Sequence, residues 1–386
     1  MGEEACINHQ QPPRIGMDKL PLDVVFNIFS RLPIKSLLRS RCVSKHWRNI
    51  IEDPFLANLH LSRAVQEHTI LALDHPTHRR KVTSLYLVKE DGNKNLKASK
   101  NPIAELSNSN NYSLEGSCNG LLYFAKPNER DGVILLNPLT GQNIMLPPAT
   151  IPSPCPHMKK YGLGFDPSTN TYKIVRVFFR NQLDWKNYSL GVEVHTLGTN
   201  SWREIGEIPP SPMCGRPVSA YGALHWMVDP PFACDNLKSM IVSFDIGKEV
   251  FSLTPHPDFG SKTCDMFQLV DFRGFLAMAD LSSDSCILIW VLKDYDKKEW
   301  VEEFRIQIRP PMGRADNCSY NVVGPWKNGE ILLSSSEGYF CYNSKTDNLR
   351  YIHTGGPFTD TTTSEVSIYS HRGSLVSCSS FKQIDS

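Results

Sequence analysis

The stretch from Leu20 to Ile51 constrains this chain most, because it concentrates many large apolar side chains in a short helical pattern. Apolar residues recur there at helical spacing, first at Leu22, Val25, Phe26 and Phe29 and again at Val43, Trp47, Ile50 and Ile51. Pro33 is expected to stop the first helix, because proline lacks an amide N–H and disfavours helical geometry before it. Three short helices of this composition cannot bury all of their apolar surface. We therefore predict that part of it forms an interface.

The order of residues in this stretch also resembles the F-box motif in its plant-like form. Three segments carry the resemblance: LPLD at Leu20, RLPIKSLL at Arg31 and RCVSKHWRNII at Arg41. It covers about Met17 to Ser62, and its one mild departure is Asp23, where many relatives carry Glu. The resemblance implies docking to the Skp adaptor of an SCF-type cullin–RING ubiquitin ligase. A helical cap that packs only on its own protein is the alternative.

The helical stripes and the resemblance together predict the apolar centre of that adaptor interface. Its residues are expected to be Leu20, Pro21, Ile28, Leu32, Pro33, Leu37, Leu38, Val43 and Trp47.

Length and charge set broad limits on the chain. Its 386 residues suit a small module and one large domain, and 40% hydrophobic with 21% charged residues is an ordinary globular composition. The formal net charge of +1 gives no whole-protein reason to expect nucleic acid or membrane. Residues 17–62 are locally basic, as a DNA-reading helix would be, but a solvated face or an acidic protein partner is the simpler explanation, so we predict neither a nucleic-acid nor a membrane partner.

Cysteine usage and hydropathy indicate the cytosol or the nucleus. The eleven cysteines never form a C-x-x-C pair, which argues against a zinc framework. No secretory signal is recognised, and the longest apolar run, Cys286 to Leu292, is too short to span a bilayer. We therefore expect reduced thiols. Residues 1–16 are interpreted as a disordered leader.

Beyond about residue 68 the chain changes to short β-rich runs that repeat. A glycine leads into an apolar strand at Gly120, Gly222, Gly274, Gly329 and Gly373, roughly every fifty residues. One interval is double, and the strand at Tyr172 fills it. In a second repeated element, a strand runs into a polar turn at Asn137, His195, Asp245, Asp294 and Asn343. Asn, Asp and Gly suit tight turns because they tolerate positive φ or form local hydrogen bonds.

A repeat of about fifty residues with four strands is typical of a β-propeller blade. Five complete units are predicted at 112–148, 161–206, 217–255, 266–306 and 318–354. Strands left over at 364–369 and 374–380 are predicted to join those at 69–74 and 82–88 as a sixth blade. Such a blade closes the ring and removes both free sheet edges, so we favour a ring over a sandwich.

The repeats resemble, in order, the F-box-associated β-propeller domain of plant F-box proteins. The resemblance spans about 110–350 and includes GSCNGLLYF at Gly116, YGLGFDPSTNTYKIVRV at Tyr161 and VSFDIGKEVFSL at Val242, without the kelch signature. The predicted fold is therefore mainly β with an N-terminal α module. A small three-helix F-box at 17–62 precedes a closed β-propeller of six four-stranded blades at 69–380.

Candidate motifs for chemistry are weak. Cys118 lies at the centre of a sequence with the spacing of a nucleophile elbow, but an apolar strand follows it, which favours a turn between two strands. His75 and His78 lack a third ligand at a matching interval, and Asp166 to Asn170 matches only one corner of a calcium loop. We predict no catalytic residue, no metal and no cofactor.

The resemblance implies a substrate-recognition subunit of an SCF ubiquitin ligase. The F-box binds the Skp adaptor, and the propeller binds a target protein for ubiquitination and proteasomal degradation. The catalytic gain is proximity alone. Two alternatives remain open: a scaffold that binds the adaptor but delivers nothing to ubiquitin, and a propeller enzyme with a helical cap.

Loop lengths predict which propeller face binds the target. The short-turn face carries the one–two and three–four turns of each blade, such as 119–120, 140–141, 168–170, 247–249 and 273–274. The long-loop face carries the other connections, 126–131, 148–160, 180–189, 207–216, 229–238, 256–264 and 307–317. Long irregular loops are costly to order and tend to be retained for binding, although they can also be passive insertions. The contact-prone side chains of the long-loop face are Arg180, Trp185, Phe232, Phe259 and Arg314.

Overall fold

A computed structural model describes most of the chain in two compact units, one up to residue 65 and one from residue 66 onwards. The described residues are 20–63, 68–74, 82–107, 112–126, 132–181, 187–229, 232, 240–257, 266–283, 285–308, 320–336, 338–355 and 366–381.

The first unit contains four short helices rather than the three predicted: α1 (Leu22–Phe29), α2 (Ile34–Ser40), α3 (Lys45–Ile51) and α4 (Pro54–Arg63). Pro54 opens the additional helix at the first helical position, where its missing N–H is not needed. Ser44 caps α3, and its hydroxyl accepts a hydrogen bond from the Trp47 N–H at 3.1 Å. The four helices enclose a small core of Val25, Phe29, Leu37, Ile50, Ile51 and Leu56.

The second unit is built of antiparallel strands. It begins with β1 (His68–Asp74), β2 (Val82–Glu90), β3 (Leu96–Ala98) and β4 (Ala104–Ser107). Blade 1 contains β5 (Ser113–Cys118), β6 (Leu121–Ala125), β7 (Val133–Asn137) and β8 (Gln142–Met145). Blade 2 contains β9 (Lys160–Asp166), β10 (Thr171–Phe179), β11 (Leu190–Thr196) and β12 (Arg203–Ile205).

Three further four-stranded sheets follow in chain order. Blade 3 contains β13 (Met213–Ala220), β14 (Ala223–Val228), β15 (Met240–Asp245) and β16 (Val250–Pro255). Blade 4 contains β17 (Phe267–Phe272), β18 (Phe275–Asp280), β19 (Cys286–Asp294) and β20 (Glu299–Gln307). Blade 5 contains β21 (Tyr320–Pro325), β22 (Glu330–Ser335), β23 (Gly338–Asn343) and β24 (Asn348–Ile352). The five complete repeats are thus confirmed as blades.

The sixth blade closes the ring, which confirms the six-bladed propeller, but its strands differ from the prediction. The last strands are β25 (Thr354–Gly355) and β26 (Val366–Arg372), and β26 pairs with β1 over its whole length. Residues 374–377 form no strand, because β1 already occupies the outward edge of β26. The outer strand comes instead from β3 and β4, which pair with the two ends of β2, and β25 adds a short parallel edge to β3.

The repeated turn residues act as their chemistry predicts. Asn119 and Gly120 have φ of 47° and 77°, and Asn328 and Gly329 have 57° and 82°, in the tight turns that join first and second strands. In the turns between third and fourth strands, the side-chain oxygen of the leading residue accepts backbone N–H groups two or three residues on, at Asn137, Asp245, Asp294 and Asn343. His195 differs, since its Nδ1 lies 3.1 Å from the Ser201 carbonyl oxygen.

Apolar side chains fill the interfaces between neighbouring blades. One cluster joins blades 2 and 3 around Trp226, and another joins blades 4 and 5 around Ile289. Gly162 and Gly164 allow this close packing, because a Cβ at Gly164 would lie 2.4 Å from the side chain of Ile246. The core therefore lies between blades and is distributed around the ring.

Candidate interaction sites

The helical unit exposes large apolar side chains although it has its own core. Leu22 is 54% exposed, Val43 is 64% exposed and Phe55 is 58% exposed. Exposed apolar side chains of this size are typical of surfaces that bind another protein. The rings of Phe26 and Phe55 lie 5.1 Å apart, so the exposed Phe55 is packed on one side and presented on the other.

The predicted adaptor residues divide into three groups in this structure. Pro21, Pro33 and Val43 are exposed, whereas Leu20, Ile28, Leu32, Leu38 and Trp47 are half-buried. Leu37 is 0% exposed and belongs to the core of the helical unit rather than to its surface. An apolar stripe at helical spacing shows which residues share a face but not how deeply each one is buried, and α2 turns Leu37 into the core.

Sequence reasoning also missed Leu22 and Phe55 as exposed residues. Leu22 belongs to the apolar stripe of α1, of which Val25 and Phe29 face the core. Phe55 lies in α4, a helix that was not predicted. For Phe55 the available signal was Pro54, a residue favoured at the first position of a helix.

Several polar contacts hold the helical unit in shape. Arg41 forms an ion pair with Glu52, which ties the end of α2 to the end of α3. The His60 Nε2 lies 2.8 Å from the carbonyl oxygen of Leu32, in the turn before α2. Burial lowers the pKa of His60, so the neutral ring is the form that fits this site. The exposed apolar surface is thus carried on an ordered scaffold.

Side chains on the innermost strands of blades that are not neighbours in the ring contact one another. The Arg216 Nη2 of blade 3 donates to the Tyr369 hydroxyl of blade 6 at 3.2 Å, and the Cys118 Sγ of blade 1 lies 3.5 Å from the Ser219 Oγ of blade 3. A bulge in β13 between Cys214 and Val218 accompanies these contacts. Arg216, Tyr369, Cys118 and Ser219 are therefore engaged in contacts inside the ring.

The motifs that resembled catalytic or metal sites have structural roles. Asn119 and Gly120 form the turn after Cys118, and burial raises the pKa of the Cys118 thiol to about 11, which keeps it protonated. The Asp166 carboxylate accepts hydrogen bonds from Ser168 and Thr169 in the turn that follows it. These hydrogen bonds, those from Ser168 first, lower the pKa of Asp166 to about 2. His75 and His78 lie outside the described residues. Within the described ranges, no group of three or more His, Cys, Asp or Glu side chains is placed to hold a metal.

Two of the predicted target-contacting residues are described. Arg180 is exposed and pairs with Glu204, and its guanidinium carbon lies 5.6 Å from the Phe178 ring centroid. Phe232 is half-buried in an aromatic group, with its ring 5.1 Å from Tyr188 and 5.9 Å from Phe179. The remaining three, Trp185, Phe259 and Arg314, lie outside the described residues.

The connection from blade 1 to blade 2 is anchored on the long-loop face by a buried carboxylate. The Glu193 Oε1 accepts the backbone N–H groups of Thr150 and Ile151, each at 3.2 Å, and also the Thr150 hydroxyl. The Trp202 Nε1 donates to the Pro147 carbonyl oxygen at 2.8 Å. The first part of this connection is therefore held in place by hydrogen bonds and presents a fixed surface rather than an adaptable one.

The fold defines a two-unit protein, with four short helices followed by a six-bladed β-propeller. Residues 17–57 match the family described as F-box domain, and residues 69–377 match the family described as F-box associated beta propeller domain. The chain belongs to the plant F-box proteins that carry an F-box-associated β-propeller domain. Among the described residues, no helix is long and apolar enough to cross a membrane.

Curated relatives from Arabidopsis thaliana support this membership over most of their length. The chain is 28% identical to F-box protein At3g07870, with 86% of this chain and 84% of the relative covered. It is 30% identical to putative F-box protein At1g30920, covering 82% and 80% respectively. It is 28% identical to F-box protein CPR1, covering 75% and 74% respectively.

Proposed function

We propose that this protein is the substrate receptor of an SCF-type ubiquitin ligase. Its F-box binds the Skp adaptor and through it the cullin–RING ligase, while the propeller holds a target protein. The receptor supplies proximity between the target lysines and a ubiquitin-charged conjugating enzyme, so it needs no reactive group of its own. We place this activity in the cytosol or nucleus, where thiols stay reduced, and no disulfide joins the seven described cysteines.

The observation that carries this proposal is the exposed apolar surface of the helical unit. Leu22, Val43 and Phe55 are more than half exposed on a module that nevertheless buries its own core. A cap that served only its own protein would direct those side chains inward. An obligate partner that covers them accounts for their exposure.

Adaptor binding is tested by replacing Leu20 and Pro21 together with alanine. Both residues precede the core of α1, so the variant should fold while losing binding to a purified Skp adaptor in calorimetry. The matched control is Lys345→Ala, in a turn of blade 5, which should bind the adaptor normally. Adaptor affinity near that of the wild-type protein in the double variant would refute the assignment.

A second experiment separates the receptor from a scaffold that delivers nothing to ubiquitin. Proximity labelling is carried out under proteasome inhibition with the intact chain and with a chain lacking residues 17–62. Proteins labelled by both chains are those that bind the propeller. Knock-out should then lengthen the half-life of at least one of them. Unchanged half-lives of all labelled proteins favour the scaffold. The enzyme alternative has less support, since both matching families are named for the F-box rather than for a catalytic activity.

We further propose the long-loop face as the surface that binds the target. The aromatic group around Phe232 and the anchored connection held by Glu193 support this choice, because ordered loops with aromatic side chains suit a binding hot spot. The test compares two triple variants in a target pull-down. One changes Trp185, Phe232 and Arg314, and the other changes Thr140, Lys248 and Lys297 on the short-turn face. Loss of the target in the second variant alone would reverse the assignment.

A further inference from the structure

The residues that follow the last strand occupy a groove on blade 1. This C-terminal segment (373–381) leaves β26 and crosses the short-turn face of blade 1. The Asn137 Nδ2 donates to the carbonyl oxygens of Ser374 at 3.2 Å and Val376 at 2.7 Å. Asn137 is fully buried, and its side-chain oxygen also organises its own turn by accepting the Leu139 N–H at 3.0 Å. One amide therefore shapes the blade and binds the segment.

A second amide side chain binds the next part of the same segment. The Gln142 Oε1 accepts the Ser377 hydroxyl at 2.8 Å and the Cys378 N–H at 3.1 Å, and the Gln142 Nε2 donates to the Ser379 hydroxyl at 3.1 Å. Asn137 ends β7 and Gln142 begins β8, so both amides belong to a single turn. Three of the five hydrogen bonds from the two amides go to main-chain groups of the segment, and two go to the hydroxyls of Ser377 and Ser379.

Packing adds selectivity for small and aliphatic side chains. Ser374 and Cys378 are completely buried, and Leu375 and Val376 are nearly so. A Cβ at Gly120 would lie 2.6 Å from the Ser374 Oγ, so the turn after β5 admits the segment only because glycine stands there. At the far end, the ring of Phe381 lies 5.6 Å from that of Tyr172 in blade 2.

The closure of the ring does not depend on these contacts. β26 pairs with β1 residue for residue from His68–Arg372 to Asp74–Val366, which completes the sixth blade before the segment begins. The hydrogen bonds between the segment and blade 1 come from two side chains and not from a β-ladder. The segment is held in the manner of a bound peptide.

We propose that the short-turn end of blade 1 is a peptide-binding site, with the C-terminal segment as its reversible occupant. The site takes an uncharged peptide that is non-helical up to Ser377 and forms one 3-10 turn from Cys378, with small residues at the positions of Ser374 and Cys378 and aliphatic residues at those of Leu375 and Val376. Departure of the segment opens Asn137, Gln142 and Tyr172 on the short-turn face while the ring stays closed. This site shares no residue with the adaptor surface or with the long-loop face.

The test supplies the segment in trans. A chain ending at Arg372 is titrated with a labelled synthetic peptide of residues 373–386, and binding is followed by fluorescence anisotropy. Saturable binding is expected, with at least a tenfold loss of affinity for Asn137→Ala and for Gln142→Ala. Asn343→Ala is the matched control, since Asn343 forms the equivalent turn in blade 5, and it should leave the affinity unchanged. A peptide of scrambled sequence should bind at least tenfold more weakly.

Hydrogen exchange on the full chain provides a readout that needs no truncation. Gln142→Ala should accelerate exchange of the Cys378 amide at least tenfold while the amides of β26 keep their protection. Joint loss of protection in the segment and in β26 would overturn the proposal, because the segment would then be part of the closure. The same conclusion would follow if the chain ending at Arg372 failed to fold, or folded but did not bind the peptide.

Discussion

Glu193 offers the sharpest test of how this propeller is held together, because it forms a fully buried ion pair. Arg176 on β10 and Glu193 on β11 face each other in the strand register, and both side chains are 0% exposed. The Arg176 Nη1 lies 2.5 Å from the Glu193 Oε2. The other carboxylate oxygen anchors the blade 1 to blade 2 connection at Thr150 and Ile151.

The proposed perturbation is Glu193→Gln, which retains the size of the side chain but removes its charge. Removing one partner of a buried ion pair leaves an uncompensated charge and typically costs about 3–5 kcal/mol. Because glutamine keeps one oxygen as a hydrogen-bond acceptor, we expect a loss near the lower end, about 3 kcal/mol of unfolding free energy. Combining Glu193→Gln with Arg176→Met should recover much of that loss, since neither charge is then buried and the glutamine oxygen can still accept hydrogen bonds from Thr150 and Ile151.

The assay is urea-induced unfolding, with the neighbouring pair as a matched control. Arg180 and Glu204 also form an ion pair within blade 2, but their side chains are 37% and 43% exposed. Glu204→Gln should therefore change the unfolding free energy by less than about 1 kcal/mol. A Glu193→Gln variant within about 1 kcal/mol of the wild-type protein would refute the reasoning that this pair is desolvated and anchors the loop.

Three other predictions concern the ring. Burial lowers the pKa of His225 to about 4 and that of His371 to about 3, so protonation favours the unfolded chain. The free energy of unfolding should therefore be unaffected above about pH 6.5 and should fall by about 2 kcal/mol per histidine at pH 5. Urea midpoints measured across this pH range test the prediction, and midpoints that do not change with pH would contradict it. Deleting everything after Asp360 removes β26 and should abolish the cooperative unfolding of the whole propeller, and an unchanged melting temperature would show that β26 is dispensable. Gly164→Ala should cost about 1–3 kcal/mol because its Cβ would overlap an isoleucine of blade 3, whereas Gly206→Ala, with open space around it, should be neutral by the same denaturant assay.

Much of the propeller could be predicted because its repeats rest on local chemistry. Asn119 and Gly120, and the equivalent Asn328 and Gly329, adopt positive φ values that few other residues tolerate. The leading Asn or Asp of each three–four turn binds backbone N–H groups only a few residues away. Interactions of such short range involve residues that are close in sequence. The repeat length, the turns and five of the blades can therefore be predicted from the sequence itself.

The helical unit was predictable for a related reason, but only in part. Proline and the apolar spacing define where α1 and α2 lie, and the order of residues matches the F-box. Burial is different, because it depends on which helix packs on which side. Leu37 is a core residue and Phe55 an exposed one because of how the four helices, including α4, pack together.

The sequence by itself determined the local conformations of this protein. Only the tertiary structure determined which of several distant segments pairs with a given strand. Residues 374–377 carry the pattern of a strand, yet β1, some three hundred residues earlier, already holds the edge of β26 that they would need. The segment therefore lies on blade 1, where Asn137 and Gln142 bind it. The pairing of Arg176 with Glu193 and the reach of Glu193 to Thr150 likewise depend on strands meeting in space. A sheet edge can be filled only once, and which segment fills it depends on contacts across the whole ring.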